Sequence, residues 1–288
     1  MKKYAVIDIG SNSVRLLFVA DGKVLYKRLK TTRLGENLAL TGVLTPQAIS
    51  RTAEAVKEFY LQAKNENANE IVAFATASVR TAKNGDEFIN AVNELCPVEV
   101  EVISGETEAE IGILGALGKE DGAILDIGGA SSELIVKTDG KCTYKKSLDV
   151  GAVRLKDICG RDKNALQTYC ENIVKQFGKV PAFHYLTAIG GTATTLCALA
   201  LELKAYDSQK VTGAKVSKTQ LLALTDKLFS MPTEKIAKLP CITFGREDII
   251  GGGAVLLSAI LDYLRLDGFT ASDRDNLEGY AIKKGYLV

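Results

Sequence analysis

The stretch VIDIGSNSVRLLFVADGK, Val6 to Lys23, returns 118 residues later as ILDIGGASSELIVKTDGK, Ile124 to Lys141. From Asp8 to Lys23 the two copies align without a gap, and eight of sixteen positions are identical. That period exceeds the roughly 20–50 residues of a solenoid unit, so the repeat is a duplicated domain. A chain of 288 residues is long enough for two separate cores. The short polar stretch GKEDG, Gly118 to Gly122, is the expected break, which gives domains of 1–119 and 120–288.

Each copy reads as strand, tight loop, strand, turn, strand. Tyr4 to Asp8 is an apolar run, Ser13 to Ala20 is rich in Val, Leu and Phe, and Asp21-Gly22 is a hairpin signal before Lys23 to Lys30. Ala123 to Ser147 repeats that order with its own Asp139-Gly140 turn. Helices follow in both halves. Thr45 is the N-cap of a helix to Asn65 with Pro46 in first position, and further helices are expected over 86–95, 104–117, 162–177, 190–203, 217–230, 249–264 and 275–284. Strands are expected over 71–75, 98–103 and 185–189. Alternating strands and helices make the fold α/β.

Composition removes several classes of chemistry. The net charge of +1 gives no global pull toward nucleic acid or a membrane surface. His184 is the single histidine, so neither a histidine-built metal site nor a Ser-His-Asp triad is expected. The six cysteines are at least eleven residues apart and form no CxxC pair, as expected of reduced, mostly buried cysteines in a cytoplasmic protein. The longest apolar run, IIGGGAVLLSAILDYL, stops short of a membrane span.

The Asp-x-Gly loops carry the most chemistry. DIGSNS offers Gly10, Asn12 and Ser13, and DIGGAS offers Gly128, Gly129 and Ser131. Small residues let backbone N–H groups converge on phosphate oxygens. Asp8 and Asp126, at the strand ends, can hold a hydrated Mg²⁺ or its water ligands. The plain alternative is two ordinary hairpin turns, but two copies at a fixed offset weaken it. Glu133 stands where the first copy has Arg15; an arginine suits a phosphate chain, a glutamate a metal or a water. AIGGTATTL adds Gly190, Gly191 and Thr192 at a helix start, where free N–H groups favour an anion. ISGETEAEI places Glu106, Glu108 and Glu110 in a first helical turn, where they suit the helix dipole and where one is a candidate base for water.

Eight segments in order, DIGSNSVRLL, RLGE, ATASVRTAKN, VISGETEAE, DIGGASSEL, VGAVRL, IGGTATTL and ASDRDNLEG, resemble the motifs of the Ppx/GppA family over about Tyr4 to Gly285. That resemblance implies two duplicated actin-like (ribonuclease H-like) ATPase-superfold domains around a central cleft, each repeat lining one side of a phosphate site. It implies that the last helix, about 275–285, packs back at the hinge against the helix of 105–117. It implies release of terminal orthophosphate from inorganic polyphosphate, or conversion of pppGpp to ppGpp, with Mg²⁺ or another divalent cation. Carried over by motif, Glu108 is the base, Asp126 and Glu133 support metal and water, and Arg80 sits on the phosphate being cleaved. Asp8 joins the metal set; Asn12, Ser13, Arg15, Gly128, Gly129, Ser131, Gly190, Gly191 and Thr192 join the phosphate set. A cytoplasmic homodimer is expected, with polyphosphate or guanosine penta/tetraphosphate as partner and no nucleic acid or membrane. Two departures stand out: Ala130 replaces the usual third glycine, and Glu110 stands where the family often has a positive charge. The competing functions are an ATP-binding kinase or switch of the same superfold and a non-catalytic (p)ppGpp sensor.

Overall fold

The computed structural model describes residues 2–118 and 120–287. Lys119, within the expected break, lies outside the described residues. The chain divides into two compact units, Met1–Gly115 with Asn276–Val288, and Ala116–Asp275.

In the first unit, β1 (Lys3–Ile9), β2 (Ser13–Ala20), β3 (Lys23–Thr31), β4 (Glu70–Ala75) and β5 (Val100–Val102) form one sheet in the order β3-β2-β1-β4-β5. The first three strands are antiparallel, and β4 and β5 add in parallel. In the second unit, β6 (Gly122–Ile127), β7 (Ser132–Thr138), β8 (Lys141–Leu148), β9 (Leu186–Ile189), β10 (Lys215–Ser217) and β11 (Gly268–Ala271) run β10-β11-β9-β6-β7-β8. Read from the β8 edge, this is the first sheet again with one antiparallel strand added.

The repetition reaches into detail. Both hairpin turns place Asp and Gly in the left-handed region, with φ 48° and 75° at Asp21-Gly22 and 52° and 71° at Asp139-Gly140. Two consecutive positive φ values match the right-handed twist of a two-residue hairpin. Both second strands shift register at equivalent places, between Phe18 and Val19 and between Val136 and Lys137. β3 and β8 are mostly exposed edge strands with several lysines, which discourages further strand pairing.

Helices cover each sheet because their apolar stripes match the exposed sheet faces. Pro46–Asn65 starts as expected, with the Thr45 side chain accepting from the Ala48 N–H at 3.2 Å. It buries Ile49, Ala53, Val56 and Phe59 in a core shared with β1, β2 and β4. On the other face, the terminal helix Asn276–Lys283 places Leu277, Tyr280 and Ala281 against Val6, Leu17, Phe74, Ile103 and Ile111. The second unit has its own core, with Ile250–Leu264 at its centre.

Several short elements have no counterpart in the sequence reading: the helices Ala77–Thr81 and Ala152–Cys159, and β10 and β11. Each is three to eight residues long. The expected helix over 162–177 is an α-helix, Lys163–Ile173, followed by a 3-10 turn, Val174–Phe177. Among the described residues, no helix is long and apolar enough to cross a membrane.

Candidate active site

The two glycine loops are the same turn built twice. Gly10 N–H donates to the Ser13 carbonyl at 3.0 Å, and Gly128 N–H donates to the Ser131 carbonyl at 3.0 Å. A Cβ at either glycine would stand 3.2 Å from that oxygen. Each turn is also held from behind. Ser11 O accepts from Gly35 N–H at 2.8 Å, and Asn12 O accepts from Thr32 and Arg33 N–H at 3.0 and 2.9 Å. Gly128 O accepts from Ala152 N–H at 3.0 Å, and Gly129 O from Val153 and Arg154 N–H at 2.8 and 3.0 Å. A Cβ on Gly151 would fall 2.5 Å from the Gly129 carbonyl carbon, so this support requires glycine.

These bonds orient the amides. In a planar trans peptide the N–H points opposite the preceding carbonyl. With the carbonyls of Ser11 and Asn12 tied to their support, the N–H groups of Asn12 and Ser13 point the other way. The same holds for Gly129 and Ala130. Consecutive N–H groups on one side form the backbone kind of anion site. Ala130 is buried and does not disturb the turn bond.

Beside each turn the repeat has diverged. Asp8 faces Arg15 across β1 and β2, and Arg15 Nε donates to Asp8 Oδ2 at 3.0 Å, with Nη2 on the same oxygen. At the equivalent place Asp126 faces Glu133 across β6 and β7, both buried, and Ser147 Oγ donates to Glu133 Oε1 at 2.6 Å. Opposed like charges on one sheet face repel, and a divalent cation removes that repulsion. Two carboxylates with waters and phosphate oxygens suit Mg²⁺, which seldom uses an all-protein cage. Among the described residues, no group of three or more His, Cys, Asp or Glu is arranged to hold a metal. Asp126 and Glu133 therefore fit a divalent cation, whereas Asp8 is engaged by an arginine.

Arg80 and Glu108 come together in the first unit. Arg80, on Ala77–Thr81, donates from Nη1 to the Ile103 carbonyl at 2.7 Å and to Glu108 Oε2 at 3.2 Å. Glu108 is in the first turn of Gly105–Ala116, where Ser104 Oγ caps the Thr107 N–H at 3.1 Å. Its side chain is 8% exposed, against 26% for Arg80. Glu110, by contrast, is exposed and pairs with Lys283 at 3.8 Å.

Gly190 opens the helix Gly190–Ala200 with φ +78°, and a Cβ there would lie 2.4 Å from Asp126 Oδ1. A Cβ on Gly191 would lie 2.1 Å from both Arg246 Nη atoms. This helix end has no side-chain cap, and Thr192 is buried beside Gly253. Arg246, itself buried, was not singled out from the sequence. Nothing in FGRED separates a buried arginine from a surface one. The supports Gly35 and Gly151 fall within the segments RLGE and VGAVRL, but their part in holding the turns shows only in their approach to another backbone.

The cysteines stand outside this chemistry. All six are free thiols; burial pushes Cys170 up to about 12 and Cys197 to about 11, so neither is a thiolate near neutral pH. His184 is exposed. Two cavities of about 590 Å³ lie along Lys163–Ile173, and neither is lined by a residue of the glycine turns.

Duplicated backbone amide nests with buried carboxylates, and no histidine or thiolate among them, describe a phosphoryl-binding α/β protein. The chain belongs to the Ppx/GppA phosphatase family, whose pattern matches residues 6–284. Exopolyphosphatase 2 of Mycobacterium tuberculosis is 30% identical over 98% of this chain and 98% of its own length. A guanosine-5'-triphosphate,3'-diphosphate pyrophosphatase of Vibrio atlanticus is 29% identical over 98% of this chain, which spans 58% of that longer protein. The crystal structure of the Aquifex aeolicus family member aligns at 28% identity with a TM-score of 0.79, covering 99% of this chain and 97% of that one.

Proposed function

We propose that this protein is a phosphoanhydride hydrolase that removes the terminal orthophosphate of inorganic polyphosphate, of pppGpp, or of both. The observation that carries the reading is that each turn has two consecutive carbonyls tied back, Ser11 and Asn12 in the first and Gly128 and Gly129 in the second, which leaves the N–H groups that follow them turned away from that support. The names of the relatives supply the substrate classes.

In this reading Glu108 accepts a proton from water as its oxygen attacks the terminal phosphorus. The bond from that phosphorus to the bridging oxygen breaks, and the shortened chain leaves with the electron pair. Arg80 holds the Glu108 carboxylate in place and offers its remaining N–H groups to the phosphoryl oxygens. The amides of Asn12, Ser13, Gly129 and Ala130, with Ser131 and the helix start at Gly190 to Thr192, bind phosphate oxygens and stabilise charge as it develops. Arg15 neutralises Asp8 and brings positive charge beside the first turn. Asp126 and Glu133 would hold a divalent cation, Mg²⁺ in this proposal, which when bound neutralises phosphate charge and lowers the cost of the leaving group.

The test is orthophosphate release from long-chain polyphosphate and from pppGpp, side by side, with Mg²⁺ and with EDTA. Release from at least one substrate that stops with EDTA is expected. Binding of pppGpp with no release from either substrate would overturn the hydrolase and leave a nucleotide sensor.

A further inference from the structure

A lysine stands at the same register position in both repeats. Directly paired residues of neighbouring strands share a sheet face, and so do residues two apart along one strand. In the second unit the row Asp126, Glu133, Ser147 is followed, on the same face of β6, β7 and β8, by the row Ile124, Ile135, Lys145. In the first unit the matching rows are Asp8, Arg15, Leu29 and then Val6, Leu17, Lys27. Lys27 precedes Lys145 by 118 residues, the offset of the repeat. Its ammonium pairs with Glu278 of the terminal helix at 2.6 Å, and that glutamate side chain is 4% exposed, so the first lysine has a structural task.

The second lysine has different neighbours on its sheet. Lys145 is half-buried beside the buried Ile124 and Ile135. A lysine stem lies along such apolar surface while its charge goes to polar ground. One way along the face lies Lys137, a like charge whose ammonium donates to the Gly118 carbonyl at 2.8 Å. The other way lies the Asp126–Glu133 row, two residues or about 7 Å along at roughly 3.4 Å per residue. A four-carbon stem covers most of that distance, and charge favours that direction. A divalent cation would cancel the two carboxylates, and an ammonium beside it then adds positive charge to the same face. An anion long enough to meet both gains from this arrangement. Resting on the function proposed above, we infer that Lys145 is a substrate-binding residue of the second unit. Its ammonium donates to an oxygen of a phosphate that follows the one held at the Gly128–Ser131 turn. Lys145 therefore reads a chain of phosphates rather than a lone orthophosphate, and the turn, the carboxylates and the lysine that meet that chain all belong to one sheet.

The experiment measures inorganic triphosphate binding by calorimetry with Mg²⁺, in a Glu108→Gln background that slows turnover. The variants are Lys145→Met, Lys145→Arg, Lys146→Met and Lys27→Met, and melting of each free protein is recorded. Lys146 is exposed and, one residue on, lies on the opposite face of β8, so it controls for net charge. Lys145→Met should bind triphosphate roughly ten-fold more weakly, as expected for a lost hydrogen bond to a charged group. Lys145→Arg keeps the charge and should bind close to wild type, as should Lys146→Met and Lys27→Met. Wild-type affinity in Lys145→Met overturns the contact. So does an equal loss in Lys146→Met, which would make the effect one of overall charge, or an equal loss in Lys145→Arg, which would assign it to packing of the stem. A fall in melting temperature of free Lys145→Met as large as that of Lys27→Met would mark a second structural lysine and overturn it too. Failure of the parent protein itself to bind triphosphate would instead overturn the proposed function.

Discussion

One exchange within the repeat separates the two carboxylate sites. Arg15 neutralises Asp8, whereas Glu133 faces Asp126 with a second negative charge. Replacing Glu133 with Gln keeps an acceptor for the Ser147 hydroxyl and removes one of the opposed charges. The cation-free protein should then gain on the order of 0.2–1 kcal/mol, while the rise in melting temperature on adding Mg²⁺ shrinks. Thermal melts with and without Mg²⁺ check both signs; a destabilised variant with an undiminished Mg²⁺ response would contradict the cation site. At this scale the sequence was legible where a residue type carries the chemistry. Asp126, Glu133 and Glu108 stand out as acids in a chain with one histidine, and the structure places them as buried carboxylates. It was illegible where the role depends on what lies opposite. The ion pair on Asp8, the guanidinium of Arg246 at Gly191 and the pairing of Arg80 with Glu108 are set by tertiary contact, which no local pattern records.

The helix that carries Glu108 depends on the terminal helix. A Cβ on Gly279 would fall 1.6 Å from the Ile111 carbonyl oxygen, so the two backbones touch and admit no side chain. Gly279→Ala must push Gly105–Ala116 and Asn276–Lys283 apart. Overpacking of this kind costs about 1–3 kcal/mol or more. The expected outcome is a lower melting temperature and a fall in kcat larger than any rise in KM, because Glu108 moves with its helix. Calorimetry and steady-state kinetics on the variant decide it, and a variant equal to wild type in both would contradict the contact. The terminal helix is also held by Tyr280, whose hydroxyl donates to Glu101 Oε2 at 2.6 Å. Burial, then that bond, pushes the Tyr280 phenol up. Burial also lifts Tyr26, bonded to Glu66 at 2.6 Å, and Tyr144, each to about 12. An unfolded tyrosine loses its proton near pH ~10, whereas these folded ones keep it, so the folded state binds more protons above that pH. Their contribution to stability is therefore complete below about pH 10 and is lost as pH rises toward about 12. Urea unfolding across that window should show a falling stability that Tyr26→Phe makes less steep; equal slopes would contradict it. Elements with a long apolar stripe or a cap were readable in advance, as at Thr45. Ala152–Cys159 was not, because its start is fixed by the Gly128 and Gly129 carbonyls rather than by a capping side chain. β11 has four residues, too few for alternation to show.

For the whole molecule, duplication explains more than any single residue does. One sheet order, one bulge, one hairpin turn and one glycine loop occur in both units, and the differences fall on Arg15 against Glu133 and Asn12 against Ala130. Shared features keep the turn; unshared ones change the charge and the hydrogen-bonding groups beside it. Duplication was readable because identical local needs preserved identical residues, such as Asp-x-Gly at the strand end and Asp-Gly in the hairpin. The return of Asn276–Val288 to the first unit is fixed by Leu277, Tyr280 and Ala281 packing on Phe74 and Ile111. The central claim is that Glu108 activates water for attack on a terminal phosphate. It is tested most directly by single-turnover orthophosphate release with Mg²⁺, comparing wild type with Glu108→Gln at saturating substrate. The account predicts a rate lower by roughly 10²–10⁴-fold, with substrate affinity and melting temperature close to wild type. A variant that releases orthophosphate at the wild-type rate would contradict it.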